Sequence, residues 1–96
     1  MTIQEVLTKA SEGGYHHDAQ RQALTIRVGV LGSHAFRTIR VDAIFLDPEF
    51  WCALGRTLGW HHERVWKGQW HRFIDQLAEG KTPEDFFAHL ISAETR

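Results

Sequence analysis

LDPEFWCALGRTLGW, from Leu46 to Trp60, contains the clearest helix start in the sequence. Asp47 is a preferred N-cap residue, and Pro48 follows at the first helical position, where its missing N–H would have no helical partner. Gly59 is the type of residue that commonly ends a helix. The stretch therefore predicts a helix of about three turns, and the remaining elements can be placed on either side of it.

The predicted helix carries Phe50, Trp51 and Leu54 on an arc that is wider than one core contact requires. Tryptophan is enriched where proteins bind partners, although a chain of 96 residues needs most of its four tryptophans for its own core. We expect part of this arc to be exposed. A homodimer or a larger symmetric assembly is expected, in which either the strand edges of the hairpin predicted below or these aromatic helices of two copies meet.

Two further helices are predicted toward the C-terminus. The spacing of large apolar residues favours a helix from about Glu63 to Ala78, which Gly80 ends. Thr82 and Pro83 have the residue types of an N-cap and a first helical position. The helix that they start is expected to bury four apolar residues: Phe86, Phe87, Leu90 and Ile91.

The N-terminal part of the chain predicts one more helix. Thr2 and Glu5 have the spacing of a capping box, and Gly13 with Gly14 ends the amphipathic pattern that follows. The polar run over residues 16–22 has no periodicity, which is typical of a surface loop.

From residue 23 the pattern changes to alternating apolar residues, which predicts a strand. Its buried side would hold Leu24, Ile26, Val28 and Val30. Gly32 and Ser33 mark a turn, and Phe36 to Phe45 is again rich in β-branched residues, so a hairpin is the simplest interpretation. The second strand would face the core through Ile39, Val41, Ala43 and Phe45. A helix over residues 34–45 is the alternative.

Together these elements predict a single α+β domain over residues 1–96, in which one helix and a β-hairpin precede three helices packed on one face of the hairpin. Two strands alone do not make a stable sheet, so the helices must cover a face or a second chain must add a strand. A content of 43% hydrophobic and 24% charged residues is typical of globular domains.

The net charge of −1 gives no general positive field for nucleic acid or anionic lipid. Cys52 is the only cysteine and cannot form an internal disulfide, which favours a cytoplasmic location. Since no apolar run approaches the roughly 20 residues that span a bilayer, we expect no membrane insertion.

Three segments resemble a group of short bacterial, phage and metagenomic proteins to which no activity is assigned. They are EGGYH from Glu12 to His16, the LDPEFWCALGRTLGW segment, and WHRFIDQLAEGKTPEDFFAHL from Trp70 to Leu90. The sequence departs from the group at Cys52, where Gln is more frequent, and the hairpin from Arg21 to Ile44 lies outside the resemblance. The resemblance implies an origin in a phage or another mobile element and brings no catalytic residue with it.

Seven histidines invite a metal site, but their spacing argues against one. His62 and Glu63 begin a zinc-type helical motif in which Trp66 stands where the second histidine is required. The segment from Gly80 to Thr82 copies the end of a phosphate-binding loop, but Asp75 stands where that loop needs a glycine. We therefore expect no metal and no cofactor.

Two groups of residues leave an enzymatic alternative open. His71 and Asp75 stand four positions apart on a predicted helix, so a pocket around them would make a small hydrolase or a metal protein. Cys52 would act as a nucleophile only with a histidine within reach. A solvated helix face and a boundary cysteine are the simpler interpretations, and no catalytic residue is assigned.

Arg27, Arg37 and Arg40, with His34, are predicted to form a small basic patch on the solvent face of the hairpin. A two-stranded ribbon of this kind can enter a nucleic-acid groove. Asp42 and the overall charge dilute the patch, so nucleic-acid binding is an alternative and not the leading hypothesis.

By elimination, the leading hypothesis is a small non-enzymatic interaction protein that binds another protein or a second copy of itself. The residues assigned to binding are Phe50, Trp51, Leu54, Arg27, Arg37 and Arg40. Nucleic-acid binding through the hairpin would be distinguished by a strong dependence on salt.

Overall fold

The structure is a computed structural model that describes residues 1–16, 22–30 and 32–94, with side chains as far as residue 90. Most of the loop predicted over residues 16–22 lies outside the described residues, and so does the side chain of Ile91. Among the described residues, no helix combines the length and apolar character needed to cross a membrane.

The described residues form an α+β fold, as the sequence predicts. In chain order the elements are α1 (Ile3–Glu12), β1 (Ala23–Gly29), β2 (Phe36–Asp42), α2 (Pro48–Leu58), α3 (Glu63–Ala78) and α4 (Pro83–Glu94). The two strands pair as an antiparallel hairpin, and the three later helices pack against it. The helical alternative for residues 34–45 is wrong for the part that forms β2.

The caps confirm the predicted helix starts. Thr2 forms the expected capping box at the start of α1. The Asp47 carboxylate accepts the Glu49 amide at 3.0 Å, and Gly59 ends α2 in the left-handed conformation. Thr82 accepts the Asp85 amide at 3.2 Å at the start of α4. Short polar side chains therefore fix where these helices begin.

The second strand is shorter than predicted. The Asp42 carboxylate accepts the Ile44 amide at 3.2 Å and caps a 3-10 helix over Ala43–Leu46, so the strand ends before Phe45. Phe45 is buried as predicted, but it reaches the core from the 3-10 helix and not from a strand. Ile44, in the same 3-10 helix, is buried as well.

The core is built around Trp51. Its indole N–H donates to the Phe45 carbonyl at 2.8 Å, and its rings stack on Phe87 at a centroid distance of 5.8 Å. Phe73 from α3 lies 5.3 Å from the same rings. One side chain thus connects α2 with α3, α4 and the 3-10 helix.

The predicted exposure of the aromatic arc is wrong. Phe50, Trp51 and Leu54 are all 0% exposed, because α2 contacts α1, α3 and the 3-10 helix and its rings also reach α4. These three side chains cannot meet a partner unless the core opens, so they are removed from the candidate binding surface.

Gly13 allows α1 and α2 to approach closely. A Cβ at Gly13 would lie 1.9 Å from the Ala53 carbonyl oxygen, a distance that no packed structure tolerates. Around this contact the Thr57 hydroxyl donates to the Lys9 carbonyl at 2.6 Å, and the Arg56 guanidinium donates to the Gly13 carbonyl at 3.0 Å. The end of α1 is thereby held against the middle of α2.

Gly13→Ala is expected to lower the free energy of unfolding by about 1–3 kcal/mol, the usual range for overpacking, because the added Cβ would push the two helices apart. Gly68→Ala, in the middle of α3 where nothing lies within 4 Å of the new Cβ, is the matched control. The control should raise that free energy by about 1 kcal/mol, because alanine favours the helix over glycine. Urea unfolding measures both, and a Gly13→Ala variant as stable as the parent would contradict the close contact.

Candidate functional site

The hairpin presents one face to the helices and one to solvent. Val28 and Val41 are buried, which identifies the face toward the helices. On the opposite face, which we call the outer face, the register places Thr25 across from Arg40 and Arg27 across from Thr38. Phe36 lies on this face as well, across from Gly29.

The three hairpin arginines do not form one patch. Arg27 and Arg40 lie on the outer face. Arg37 is paired with the buried Val28, so it lies on the face toward the helices. The Arg37 Nε–H donates to the Ala78 carbonyl at the end of α3 over 3.1 Å. Arg37 therefore stabilises the contact between the hairpin and α3, and the outer face keeps two arginines.

Phe36 is the functional candidate that the sequence analysis missed. It is 62% exposed, the most exposed large apolar side chain among the described residues, and the Arg27 guanidinium lies over its ring, 4.8 Å from the centroid. A cation over an aromatic ring is attracted to its face. The exposure of Phe36 could have been predicted from the sequence, because Phe36 lies an odd number of positions from the inward residues Ile39 and Val41 and side chains of a strand alternate between its faces.

The free edge of β2 has backbone groups without a partner among the described residues. Outside the regular ladder, the Ala43 N–H donates to the Gln22 carbonyl at 2.8 Å and the Val30 N–H donates to the Ala35 carbonyl at 3.1 Å. In an antiparallel pair, bonded and non-bonded positions alternate. Hence the backbone N–H and C=O groups of β2 at Phe36, Thr38 and Arg40 point away from β1, and those of β1 at Thr25 and Arg27 point away from β2.

A concavity of about 250 Å³ runs beside this free edge. One wall is β2 from Arg37 to Arg40, and the other is the turn between α3 and α4 from Gly80 to Pro83. The edge is therefore accessible over most of its length.

A second concavity of about 250 Å³ surrounds Cys52 at the junction of α1 and α2. Tyr15, His16, Glu49 and Arg56 contribute polar groups to its wall. In the described part of the chain, no hydrogen bond joins the half-buried Cys52 thiol to His16 or to another base. The described residues therefore show no activating partner for Cys52, which nucleophilic catalysis requires.

His71 and Asp75 both have exposed side chains on α3. Neither lines the concavity beside β2, the one around Cys52 or the one between α3 and α4. Within residues 1–16, 22–30 and 32–94, no group of three or more His, Cys, Asp or Glu side chains is arranged to hold a metal ion. The hydrolase alternative needs a pocket around the pair, and none of these three concavities supplies it.

Comparison with protein-family models, with curated proteins and with solved structures gave no match. The resemblance to short bacterial and phage proteins stays a prediction. The candidate site therefore rests on the geometry of this chain, and its strongest features are the outer face of the hairpin and the free edge of β2.

Tyr15 links the loop after α1 to the start of α2. Its hydroxyl donates to the Asp47 carboxylate at 3.0 Å, and its ring packs edge-on against Phe50 at 5.6 Å. The pKa of Tyr15 is raised to about 12, mainly by burial and next by the hydrogen bond to Asp47. The neutral phenol is thus favoured in the folded protein.

Since Tyr15 is the only tyrosine, absorbance at the phenolate band should report its ionisation directly. We expect a pKa of about 12 in the folded protein and about 10 in denaturant. The raised pKa stabilises the fold fully below pH about 10, and this contribution is lost as the pH rises through the folded pKa. Circular dichroism in the same titration verifies folding, and ionisation of Tyr15 near its ordinary pKa in the folded protein would contradict the hydrogen bond.

Proposed function

We propose that the protein is a non-enzymatic interaction module that binds a second copy of itself through the free edge of β2. The observation that carries this proposal is the row of outward backbone groups at Phe36, Thr38 and Arg40 beside an open concavity. An uncovered strand edge is a template for pairing with another strand. A continuous sheet of four strands is also more stable than an isolated hairpin.

The residues on the edge suit antiparallel pairing with an identical strand. A two-fold axis at Thr38 would place Phe36 of one copy opposite Arg40 of the other, at both ends of the contact. Each ring would then receive an arginine on the side that Arg27 leaves open. This register keeps like charges apart on the outer face, whereas an axis at Arg40 would oppose two guanidinium groups.

Apolar surface near the edge supports the same pairing. Ile39 is only half-buried on the inward face of β2, so an added strand would cover it. The concavity between β2 and the turn after α3 leaves about 250 Å³ for inward side chains of that strand. The homodimer expected from the sequence is therefore proposed through the hairpin and not through α2.

The rest of the functional assignment stays a proposal. A cytoplasmic location rests on the single cysteine, and an origin in a phage or another mobile element rests on the sequence resemblance alone. A non-enzymatic role is favoured because the nucleophile and the histidine-carboxylate pair that were considered do not converge with partners in the described residues.

Nucleic acid is the alternative occupant of the outer face. Phe36 could stack on an unpaired base while Arg27 and Arg40 contact phosphates. Because Arg37 is engaged by the Ala78 carbonyl, the cationic footprint on this face is smaller than the sequence indicates. Two arginines give weak, salt-sensitive binding, so we place self-association first.

Thr38→Pro tests the proposal, because proline removes an outward N–H from the β2 edge without removing a bond to β1. Thr25→Pro is the matched control, since Thr25 lies on the same outer face and also directs its N–H outward, but from the β1 edge. We expect a dimeric parent, a monomeric Thr38→Pro variant and a dimeric Thr25→Pro variant. Sedimentation measures the association, and circular dichroism verifies that each variant is folded.

Either of two results would overturn this proposal: a parent that stays monomeric at high micromolar concentration, or a folded Thr38→Pro variant that stays dimeric. A monomeric parent that retains single-stranded DNA, with retention lost as salt rises, would favour the nucleic-acid alternative instead.

A further inference from the structure

A separate concavity of about 130 Å³ lies between α3, α4 and Trp60, the second residue after α2. The described residues of its lining combine aromatic, apolar and polar side chains and include no acidic one: Trp60, Gln69, Arg72, Gln76, Phe86, His89 and Leu90. One water molecule needs about 10–15 Å³ of such space, so the concavity is larger than a few water molecules require. The space suits an organic group of a few heavy atoms.

The polar groups of this concavity lie on one helix face. Gln69, Arg72 and Gln76 are spaced by three and four positions along α3, so their side chains project in the same direction. Arg72 carries the permanent positive charge of the lining, and a guanidinium binds a carboxylate with two parallel hydrogen bonds. Trp60 and Phe86 supply apolar surface nearby. This combination selects a ligand that is apolar at one end and anionic at the other.

Gln69, in the lining of this concavity, has a side-chain oxygen that lacks a hydrogen bond within the described residues. Its Oε1 is buried and has no hydrogen-bond partner in the described part of the chain. Buried polar atoms in proteins are nearly always bonded, so the unbonded Oε1 of Gln69, a residue that lines the concavity, suits a group that arrives with a ligand. Because this oxygen is buried, a ligand N–H reaches it only after the Gln69 side chain turns toward the concavity. An acceptor oxygen requires a donor such as an N–H group.

His89 offers a second acceptor. Its Nδ1 lies 2.9 Å from the Asp85 carbonyl oxygen, which can only accept, and in the tautomer with the proton on Nδ1 the acceptor is Nε2. Arg72 therefore provides the charge, whereas Gln69 and His89 provide acceptors.

We propose that this concavity binds a carboxylate that stands next to an apolar side chain and an N–H donor. A free apolar amino acid and the C-terminal residue of a polypeptide share this chemistry. The site is independent of the β2 edge, since the two share no lining residue.

The experiment is an NMR titration of the full chain with N-acetyl-leucine, followed through the Trp60 indole and the Gln69 side-chain amide. N-acetyl-leucine amide, which has the same side chain and N–H but no carboxylate, is the matched ligand. We expect saturable shifts with the acid and binding weaker by about tenfold or more with the amide, the usual effect of losing a charged hydrogen bond.

Two variants locate the charge that recognises the ligand. Arg72→Gln should weaken binding of the acid by about tenfold or more. Arg64→Gln, on the exposed surface of α3 and outside the concavity, should leave binding unchanged. Leucine and a short peptide that ends in leucine then identify the source, since tighter binding of one of them assigns the site to free amino acids or to polypeptide C-termini.

The proposal is overturned if the acid causes no shift at tens of millimolar, if the amide binds as well as the acid, or if Arg64→Gln weakens binding as much as Arg72→Gln does.

Discussion

Burial of Trp51 is the constraint on which the rest of the structure depends. The side chain is 0% exposed, its indole N–H is bonded to the Phe45 carbonyl, and its rings touch Phe73 and Phe87 from the two last helices. An indole buries a large apolar area only if its N–H also finds a partner. The 3-10 helix provides that partner because it turns the chain between β2 and α2. Asp42, which caps the 3-10 helix, thus helps to position the core.

An aromatic core of this kind determines which surface is left for binding. The large rings of α2, α3 and α4 contact one another, so the described surface has few large apolar side chains, and Phe36 is the most exposed of them. Among the described residues the hairpin has two strands and is covered on one face, so that no described strand pairs with its edges or its outer face. The surface available for association therefore lies on the part of the chain that contributes least to the core.

Most of the fold could be predicted from local signals in the sequence. Asp47, Thr82 and Gly59 mark helix ends through bonds and backbone conformations that involve only near neighbours, so their positions were predictable. The burial of Phe50 and Trp51 was not predictable in this way, because it depends on how many elements surround α2. The end of β2 was missed because the Asp42 side chain, a local competitor for the backbone, stops the strand. The concavity between α3 and α4 joins residues distant in sequence, and periodicity cannot reveal it.

The rings of Phe50, Trp51, Phe73 and Phe87 lie inside each copy, and the proposed association passes through the β2 edge. Hydrogen exchange of single amides in dilute and in concentrated solution separates these two surfaces. We expect the amides of Thr38 and Arg40 to exchange more slowly in concentrated solution, whereas those of Thr25 and Arg27 should not change. The indole N–H of Trp51 should be protected at both concentrations. Rapid exchange of the Trp51 indole in dilute protein would show that the core is open, and protection that grows on α2 and not on β2 would show that association uses the helix.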